Sequence, residues 1–309
     1  MEQITRNKIW LAPLAGYTDS AFRRICKKWG VDVLVSEMVS ADGLSRDSLK
    51  TIAYVKFHPC ERPFGIQIFG SDPIVMAKAA EMLADYAPDF IDINMGCPVK
   101  KVIKRNAGGA LMRNPSLAAT IVKAVRSAIG TASLLTVKFR SGWDVSSLNY
   151  NDFGSLMADS GADAVCLHPR TVKQGFSGTS NWQHIYILKR HLSIPVIGNG
   201  DITTVELALR MFRDTFCDSI MIGRGAVGKP WFFHQIKQAL SGETEPAVTP
   251  RVIMDTIMDH IDLALEINPP EKVVREMRTH LCQYTKGLTD GSTLRDKLNH
   301  CHSITELQA

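Results

Sequence analysis

The chain has 309 residues, of which 45% are hydrophobic and 22% charged, and its formal net charge is +5. These proportions are typical of a folded globular protein, and they exclude a disordered chain and a collagen-like fibre. No apolar run approaches the roughly 20 residues that cross a bilayer. Residues 1–8 are polar and lack the apolar core of a signal peptide. We therefore expect no membrane segment and a cytoplasmic location.

The cysteine pattern argues against a disulfide framework and a structural zinc site. Seven cysteines are present, an odd number, and none forms a C-x-x-C pair. The nearest approach to a metal cluster is the run His300, Cys301 and His302, whose consecutive side chains point in different directions. We therefore expect no metal.

Eight short apolar runs alternate with segments of helical periodicity. The runs are residues 9–11, 33–35, 64–68, 90–93, 134–137, 164–167, 195–197 and 219–222. Their continuous hydrophobicity indicates parallel strands buried on both faces. An α/β fold of the (β/α)8 TIM barrel type is predicted. A doubly wound sheet is the alternative, but the turn after the first run, which contains Ala12, Pro13 and Leu14, has no G-x-G-x-x-G motif.

The pattern changes after residue 240, which divides the chain into a barrel domain (1–240) and a small helical domain (241–309). Residues 241–250 are typical of a linker. Two amphipathic helices are predicted beyond it, one with an apolar stripe through Ile261 and one burying Met277. On the outer face of the second helix, Arg275 and Arg278 are three residues apart and can meet one ligand or one acid.

The residues after the strands are candidates for a functional site, because barrels build their active sites at the carboxyl ends of their strands. Asn199, Gly200 and Asp201 follow the seventh run, and Gly223 and Arg224 follow the eighth. Barrels bind phosphate at these two positions, where glycine lets backbone N–H groups approach the oxygens. The alternative is a pair of ordinary glycine turns.

Two other residues near strand ends have two interpretations each. Lys138, beside Gln67, either forms a buried ion pair with a carboxylate such as Glu37 or binds an electron-rich ring such as a reduced flavin. Cys97, between Gly96 and Pro98, is either a small buried side chain or a thiol that can transfer a proton or act as a nucleophile.

A basic segment follows Cys97. Residues 97–113 contain Lys100, Lys101, Lys104, Arg105 and Arg113 but no acid. Such a segment is the electrostatic footprint of a bound polyanion, although charge alone favours a solvated loop.

Several motifs together resemble the tRNA-dihydrouridine synthases. The strongest are residues 11–19 (LAPLAGYTD) and 91–102 (IDINMGCPVKKV). Further matches are residues 36–38 (SEM), 67–70 (QIFG), 138–143 (KFRSGW), 168–171 (HPRT), 199–202 (NGDI) and 221–225 (MIGRG). The similarity runs in order from about residue 11 to residue 231, and residues 275–284 resemble the helical tail of that family.

The resemblance implies an FMN-containing barrel that uses NADPH to reduce uridines in tRNA. On this chain, Ala12, Pro13 and Leu14 would support the flavin ring, Gln67 and Lys138 would bond its polar edge, and His168 would lie near it. Asn199, Gly200, Asp201, Gly223 and Arg224 would hold the ribityl phosphate.

The resemblance also implies a mechanism and a tRNA surface. Reduced FMN would transfer a hydride from N5 to uracil C6 while Cys97 gives a proton to C5, with Asn94 and Arg170 orienting the base. The residues expected to contact RNA phosphates are Lys100, Lys101, Lys104, Arg105, Arg275 and Arg278, the last two in a tRNA-binding helical domain. We expect a monomer.

Two other functions remain open. The first is an FMN barrel that reduces a small-molecule alkene, against which the basic segment argues. The second is a non-catalytic RNA-binding barrel without a cofactor.

Overall fold

The computed structural model describes residues 1–131, 133–244 and 247–308. Its strands are β1 (Lys8–Leu11), β2 (Leu34–Val35), β3 (Val39–Ser40), β4 (Phe64–Phe69), β5 (Phe90–Met95), β6 (Leu134–Arg140), β7 (Ala164–His168), β8 (Val196–Asn199) and β9 (Ser219–Ile222). All their pairings are parallel, in the order β1-β9-β8-β7-β6-β5-β4-β2. A bridge between Trp10 and Val33 brings the two ends of this order together. The predicted (β/α)8 barrel is confirmed.

The second barrel strand was predicted as one run over residues 33–35, and the structure differs from this prediction. It consists of two short pieces, β2 and β3, which both pair with β4. Ser36 and Glu37 lie between them and are buried. The N–H of Ser36 still donates to the Gly65 carbonyl of β4 at 2.9 Å, and Ser36 Oγ accepts a hydrogen bond from the N–H of Gln67 at 3.0 Å.

The helices of the barrel are α1 (Glu2–Thr5), α2 (Ser20–Lys28), α3 (Ala41–Leu44), α4 (Leu49–Ile52), α5 (Pro73–Met82), α6 (Lys100–Ile103), α7 (Pro115–Ile129), α8 (Tyr150–Asp159), α9 (Gln183–His191), α10 (Val205–Thr215) and α11 (Phe232–Leu240). Local sequence explains several of their starts. Asp72 and Asn114 cap α5 and α7 through their side chains, and each is followed by a proline at the first helical position. In the described part of the chain, no helix is long and apolar enough to cross a membrane.

The helices after α11, which we name the helical domain, are α12 (Pro250–Leu265), α13 (Pro270–Tyr284), α14 (Gly291–His300) and α15 (Ile304–Gln308). Its core is a separate apolar cluster that includes Ile261, Met277 and Leu281. Ala21 and Ile25 of α2 belong to the same cluster, so the helical domain packs directly on the barrel. Residues 245 and 246 of the predicted linker lie outside the described residues.

Strand periodicity determines which side chains of the barrel interior lie at the site. One apolar cluster contains an inward side chain from each of several strands: Trp10, Phe90, Cys166, Ile197 and Met221. Side chains of a strand return to the same face every second residue. The next inward positions toward the carboxyl ends are therefore Ala12, Asp92, His168, Asn199 and Gly223. The apolar layer closes the barrel from below, and the layer above it contains the polar side chains of Asp92, His168 and Asn199.

A buried ion pair holds the start of α2 against the barrel. Arg23 Nε lies 2.5 Å from Glu61 Oε2, and the two side chains are 3% and 0% exposed. Arg23 also donates to the carbonyl of Thr18 at 2.7 Å. Thr18 in turn accepts a hydrogen bond from the N–H of Leu14, so the pair supports the loop after β1.

Replacing Glu61 by Gln should destabilise the protein strongly, because it leaves the Arg23 charge buried without a counter-ion. The expected loss in the free energy of unfolding is about 3–5 kcal/mol, measured by urea denaturation. Asp255→Asn is the control, because it removes an ion pair with Arg251 that is largely exposed. That variant should change the free energy by less than about 1 kcal/mol. Equal losses in the two variants would show that the buried Arg23–Glu61 pair stabilises the fold no more than an exposed pair does.

Candidate active site

A cavity of about 540 Å³ opens at the carboxyl ends of the strands. Its size is that of a site for a cofactor or a small ligand. The predicted residues that line it are Ala12, Pro13, Leu14, Gln67, Asn94, Cys97, Lys138, His168, Asn199, Gly200, Asp201, Gly223 and Arg224. The structure therefore brings together every residue expected to bind the cofactor, together with the expected catalytic cysteine.

A chain of buried hydrogen bonds forms the floor of the cavity. The hydroxyl of Thr136 donates to Asp92 Oδ1 at 2.5 Å, and Gln67 Nε2 donates to Asp92 Oδ2 at 2.6 Å. Asn94 Nδ2 then donates to Gln67 Oε1 at 2.8 Å. Burial raises the pKa of Asp92 to about 6, against the opposing effect of these donors. These hydrogen bonds fix which end of the Gln67 amide is the donor and which is the acceptor.

Asn94 also shapes the loop that carries Cys97. Its Oδ1 accepts hydrogen bonds from the backbone N–H groups of Gly96 at 3.2 Å and Cys97 at 3.0 Å. On the other side of the loop, the N–H of Gly109 donates to the Cys97 carbonyl at 3.0 Å. The Asn94 amide therefore holds the cysteine in place. The base-orienting role expected of Asn94 stays a prediction.

The Cys97 thiol is half-buried and remains protonated at neutral pH. Burial raises its pKa, and this effect outweighs the Val99 N–H and the positive charges of Arg140 and Lys138, which act in the opposite direction. A protonated thiol facing a cavity can donate a proton.

Lys138 pairs with an amide and not with Glu37. Its Nζ lies 2.9 Å from Asn199 Oδ1, and Asn199 Nδ2 donates to the Met221 carbonyl at 2.7 Å. The Glu37 carboxylate instead accepts a hydrogen bond from the N–H of Gly16. Burial lowers the pKa of Lys138. An ammonium has three donors, so Lys138 can offer further hydrogen bonds to a ligand in the cavity.

Arg170 lies behind the cavity wall, where protein groups use its donors. Its guanidinium bonds both oxygens of Asp201, at 2.9 and 2.8 Å, and the Ser180 hydroxyl at 2.8 Å. It is 2% exposed. Arg170 thus fixes the Asp201 loop and is not among the residues that line the cavity, and its expected role in orienting the base stays a prediction.

His168 is neutral and in a defined tautomer. Burial and four nearby cations lower its pKa well below its usual value. Its Nε2 lies 3.3 Å from an Arg170 nitrogen, which can only donate, so Nε2 accepts and Nδ1 holds the proton.

The second glycine turn fits a phosphate group, whereas the first needs its glycine for close packing and backbone conformation. A Cβ on Gly200 would lie 2.5 Å from Ser180 Oγ, and its φ of +122° is unfavourable for other residues. In the described part of the chain, the N–H groups of Gly223, Arg224 and Gly225 donate to no protein acceptor. Arg224, which is half-exposed, lies 3.2 Å from Asp201. Free backbone donors beside an arginine form a suitable anion site.

Sequence reasoning missed several residues of the cavity. Arg140 links two of its loops, because it donates to the carbonyls of Gly96 and Gly175, each at 2.7 Å. Phe176 is exposed at the mouth, with the Arg224 guanidinium 4.8 Å from its ring centre. The adjacent Gly175 and Gly178, both with positive φ, were the available signal for a tight loop here. The helical domain contributes Gln283 and Lys286, which were not among the residues predicted for the site.

The predicted RNA-contacting residues divide into two groups. Lys100, Lys101, Lys104 and Arg105 are exposed, immediately beyond the cavity wall at Val99, and form no ion pair with described residues. Arg275 is exposed on α13. Arg278 is occupied, since its Nε donates to the Cys301 carbonyl at 2.8 Å and so anchors the final segment of the chain.

The profile of the dihydrouridine synthase (Dus) family matches residues 10–309. The chain belongs to this family. The resemblance seen in the motifs is thereby confirmed.

Curated relatives agree with this assignment. A probable tRNA-dihydrouridine synthase of Treponema pallidum is 35% identical, over 98% of this chain and 92% of the relative. The tRNA-dihydrouridine synthase B of Pasteurella multocida is 35% identical, over 95% and 88% of the two chains. A probable tRNA-dihydrouridine synthase of Mycobacterium tuberculosis is 40% identical, over 96% and 79%.

Solved structures share the fold at low sequence identity. Histamine dehydrogenase from Rhizobium sp. 4-9 aligns with a TM-score of 0.55 and 16% identity, over 83% of this chain and 49% of that chain. Morphinone reductase aligns with a TM-score of 0.52 and 11% identity, over 80% and 89%. These similarities support the barrel fold alone.

Proposed function

We propose that this chain reduces uridines in tRNA to 5,6-dihydrouridine, with FMN as its bound cofactor and NADPH as reductant. One observation carries the proposal: the Cys97 thiol lies on the wall of the same cavity as Lys138 and the two glycine turns. The cavity is large enough for a cofactor, and a proton donor and a site for an anionic group both lie in it. The names of the curated relatives supply the substrate class.

The residues present fit FMN. The free N–H groups at Gly223–Gly225, together with Arg224, suit its phosphate. Lys138 and the oriented amide of Gln67 suit the polar edge of the ring, and the loop of Ala12, Pro13 and Leu14 would support its face. When bound and reduced, FMN supplies the hydride that saturates C6 of uracil.

The chain's own residues supply the proton and the geometry. The protonated Cys97 thiol would donate to C5 of the uracil. Asn94 holds the Cys97 loop through two backbone N–H groups, while Arg140 ties the neighbouring Gly96 carbonyl to the opposite loop. Neutral His168, with its proton on Nδ1, would donate one hydrogen bond to a bound group without adding charge.

A tRNA substrate accounts for the exposed basic residues better than a small alkene does. The target base must leave the folded RNA to reach the cavity, which costs a few kcal/mol, and phosphate contacts can offset this cost. Lys100, Lys101, Lys104, Arg105 and Arg275 are available for such contacts, and Lys286 extends them from the helical domain to the mouth. We propose that the protein acts as a cytoplasmic monomer.

The direct test is formation of dihydrouridine in transfer RNA that lacks modifications. Purified protein should contain FMN, and with NADPH it should raise the mass of a tRNA fragment by two hydrogens. Protein that contains no flavin would contradict the cofactor, whereas flavin-containing protein that reduces only small alkenes would contradict the substrate.

We expect tRNA binding to weaken steeply with salt, with contributions from the basic residues beside the mouth. Replacing Lys101 or Lys104 by Gln should lower the slope of log affinity against log salt concentration by about 0.7–0.9 for each lost contact. Binding would be measured by filter retention at several salt concentrations.

Lys123→Gln serves as the control, because Lys123 is exposed on α7, outside the basic segment. Its slope should equal that of the unsubstituted chain. If the Lys101 and Lys104 variants also kept the original slope, the basic segment would not be the RNA surface.

A further inference from the structure

Three potential metal ligands meet where the barrel and the helical domain pack together. They are Asp19, the residue before α2, His260 of α12 and His280 of α13. Their ligand atoms lie within 4.8 Å of one another. The two histidines are 0% and 2% exposed. The cluster thus joins three helices from both parts of the chain in a buried place.

Each imidazole has a buried nitrogen with no hydrogen-bond partner among the described residues. These atoms are Nε2 of His260 and Nδ1 of His280. A buried polar atom without a partner is costly, so native structures usually provide one. Two unpartnered buried nitrogens, on imidazoles that lie beside a carboxylate, therefore point to a ligand at this cluster.

We propose that Asp19, His260 and His280 bind a divalent transition-metal ion of the zinc type. Imidazole and carboxylate ligands suit zinc and its neighbours, whereas calcium and magnesium prefer oxygen ligands alone. Asp19 can cap α2 and still bind a metal, because Oδ1 accepts the N–H of Phe22 and a second oxygen remains.

The surroundings of His260 support this assignment. Its other ring nitrogen, Nδ1, lies 3.2 Å from the hydroxyl of the buried Tyr284. Histidine ligands of metals usually make such a second hydrogen bond, which fixes the ring and its tautomer. Phe22 packs against both imidazoles, with ring centres at 5.7 and 5.3 Å, and limits access of water.

The metal would act as a clamp between the two parts of the protein. Tyr17, two residues before Asp19, lines the catalytic cavity, and its ring contacts His280. Gln283, on the same helix α13 as His280, and Lys286, two residues after that helix, also line the cavity. A metal at this cluster would hold the helical domain in place over the cavity mouth, which is a role separate from the proposed reduction of uridine.

The test is zinc binding by chelator-treated full-length protein. It uses a Cys60→Ser background, because Cys60 is an exposed thiol beside His58 that could also bind zinc. We expect about one tightly bound zinc per chain, a rise in melting temperature, and X-ray absorption distances of about 2.0–2.1 Å for nitrogen and oxygen ligands. Distances near 2.3 Å would indicate sulfur ligands elsewhere and would overturn the proposal.

Two conservative variants separate metal binding from folding. Asp19→Asn keeps the helix cap but removes the charged ligand, and Tyr284→Phe keeps the ring but removes the hydrogen bond to His260. Each should lower zinc affinity by about 10- to 100-fold or more. The control His300→Gln changes an exposed histidine outside the cluster and should bind zinc normally. No zinc binding by the parent protein, or equal affinity in all variants, would show that water or nothing fills the cluster.

Discussion

The Cys97→Ala variant should bind FMN and accept electrons from NADPH at the parent rate, yet form little dihydrouridine. The side chain lies on the cavity wall, and its backbone is held by Asn94 and Gly109, so removing the thiol should leave the loop intact. Loss of a positioned general acid lowers a rate by about 10²- to 10⁴-fold. Single-turnover assays with pre-reduced protein and unmodified tRNA would measure this rate.

Cys60→Ala is the matched control, since it removes an exposed thiol outside the cavity and should keep full activity. Full single-turnover activity in Cys97→Ala would remove the acid role from this residue.

The rate of dihydrouridine formation should also fall at alkaline pH, where the Cys97 thiol loses its proton. A general acid must be protonated, and burial raises the pKa of Cys97 above its ordinary value of about 8.5. The rate of proton donation should therefore hold through neutral pH and fall only in more alkaline solution, as the pH passes the raised pKa. A fall that begins below pH 7 would indicate a different acid.

The Lys138→Met variant should lose most of the ability to be reduced by NADPH and should bind FMN more weakly. The ammonium offers free donors beside Asn199 to a ring that gains negative charge on reduction. Removing one such preorganised donor costs about 10²- to 10³-fold in rate. Stopped-flow absorbance of the flavin would measure the reduction rate, and flavin content would measure binding.

Two further variants test whether this effect comes from the positive charge at position 138. Lys138→Arg retains a cation and should recover part of the reduction rate, whereas Lys123→Met removes an exposed lysine of α7 and should have no effect. Parent-like flavin content and reduction in Lys138→Met would mean that Lys138 does not contact the cofactor.

Strand and helix patterns predicted the architecture because the barrel repeats one local rule. Continuous apolar runs predicted the strands, and helical periodicity between the runs predicted the helices. The interruption between β2 and β3 was not predictable, because Ser36 and Glu37 are polar residues that bond groups distant in sequence. Tertiary contacts decide the structure there.

The cavity was predictable to the extent that it follows from strand ends. Period-two alternation brings Ala12, His168, Asn199 and Gly223 to one layer, and each follows an apolar run. The partners of Arg170 and Arg278 were not predictable, since Asp201 and the Cys301 carbonyl meet them only in the folded chain. The cluster of Asp19, His260 and His280 escaped for the same reason, because its members are spread over 262 positions.

Anaerobic flavin reoxidation tests the central claim most directly. The bound flavin is first reduced, and unmodified tRNA or free uridine is then added while the absorbance of oxidised flavin is followed. Our account predicts rapid reoxidation by the tRNA and little by free uridine, because phosphate contacts bring the base to the cavity. Reoxidation by neither substrate, from protein that contains reducible flavin, would contradict the assignment of tRNA uridine as substrate.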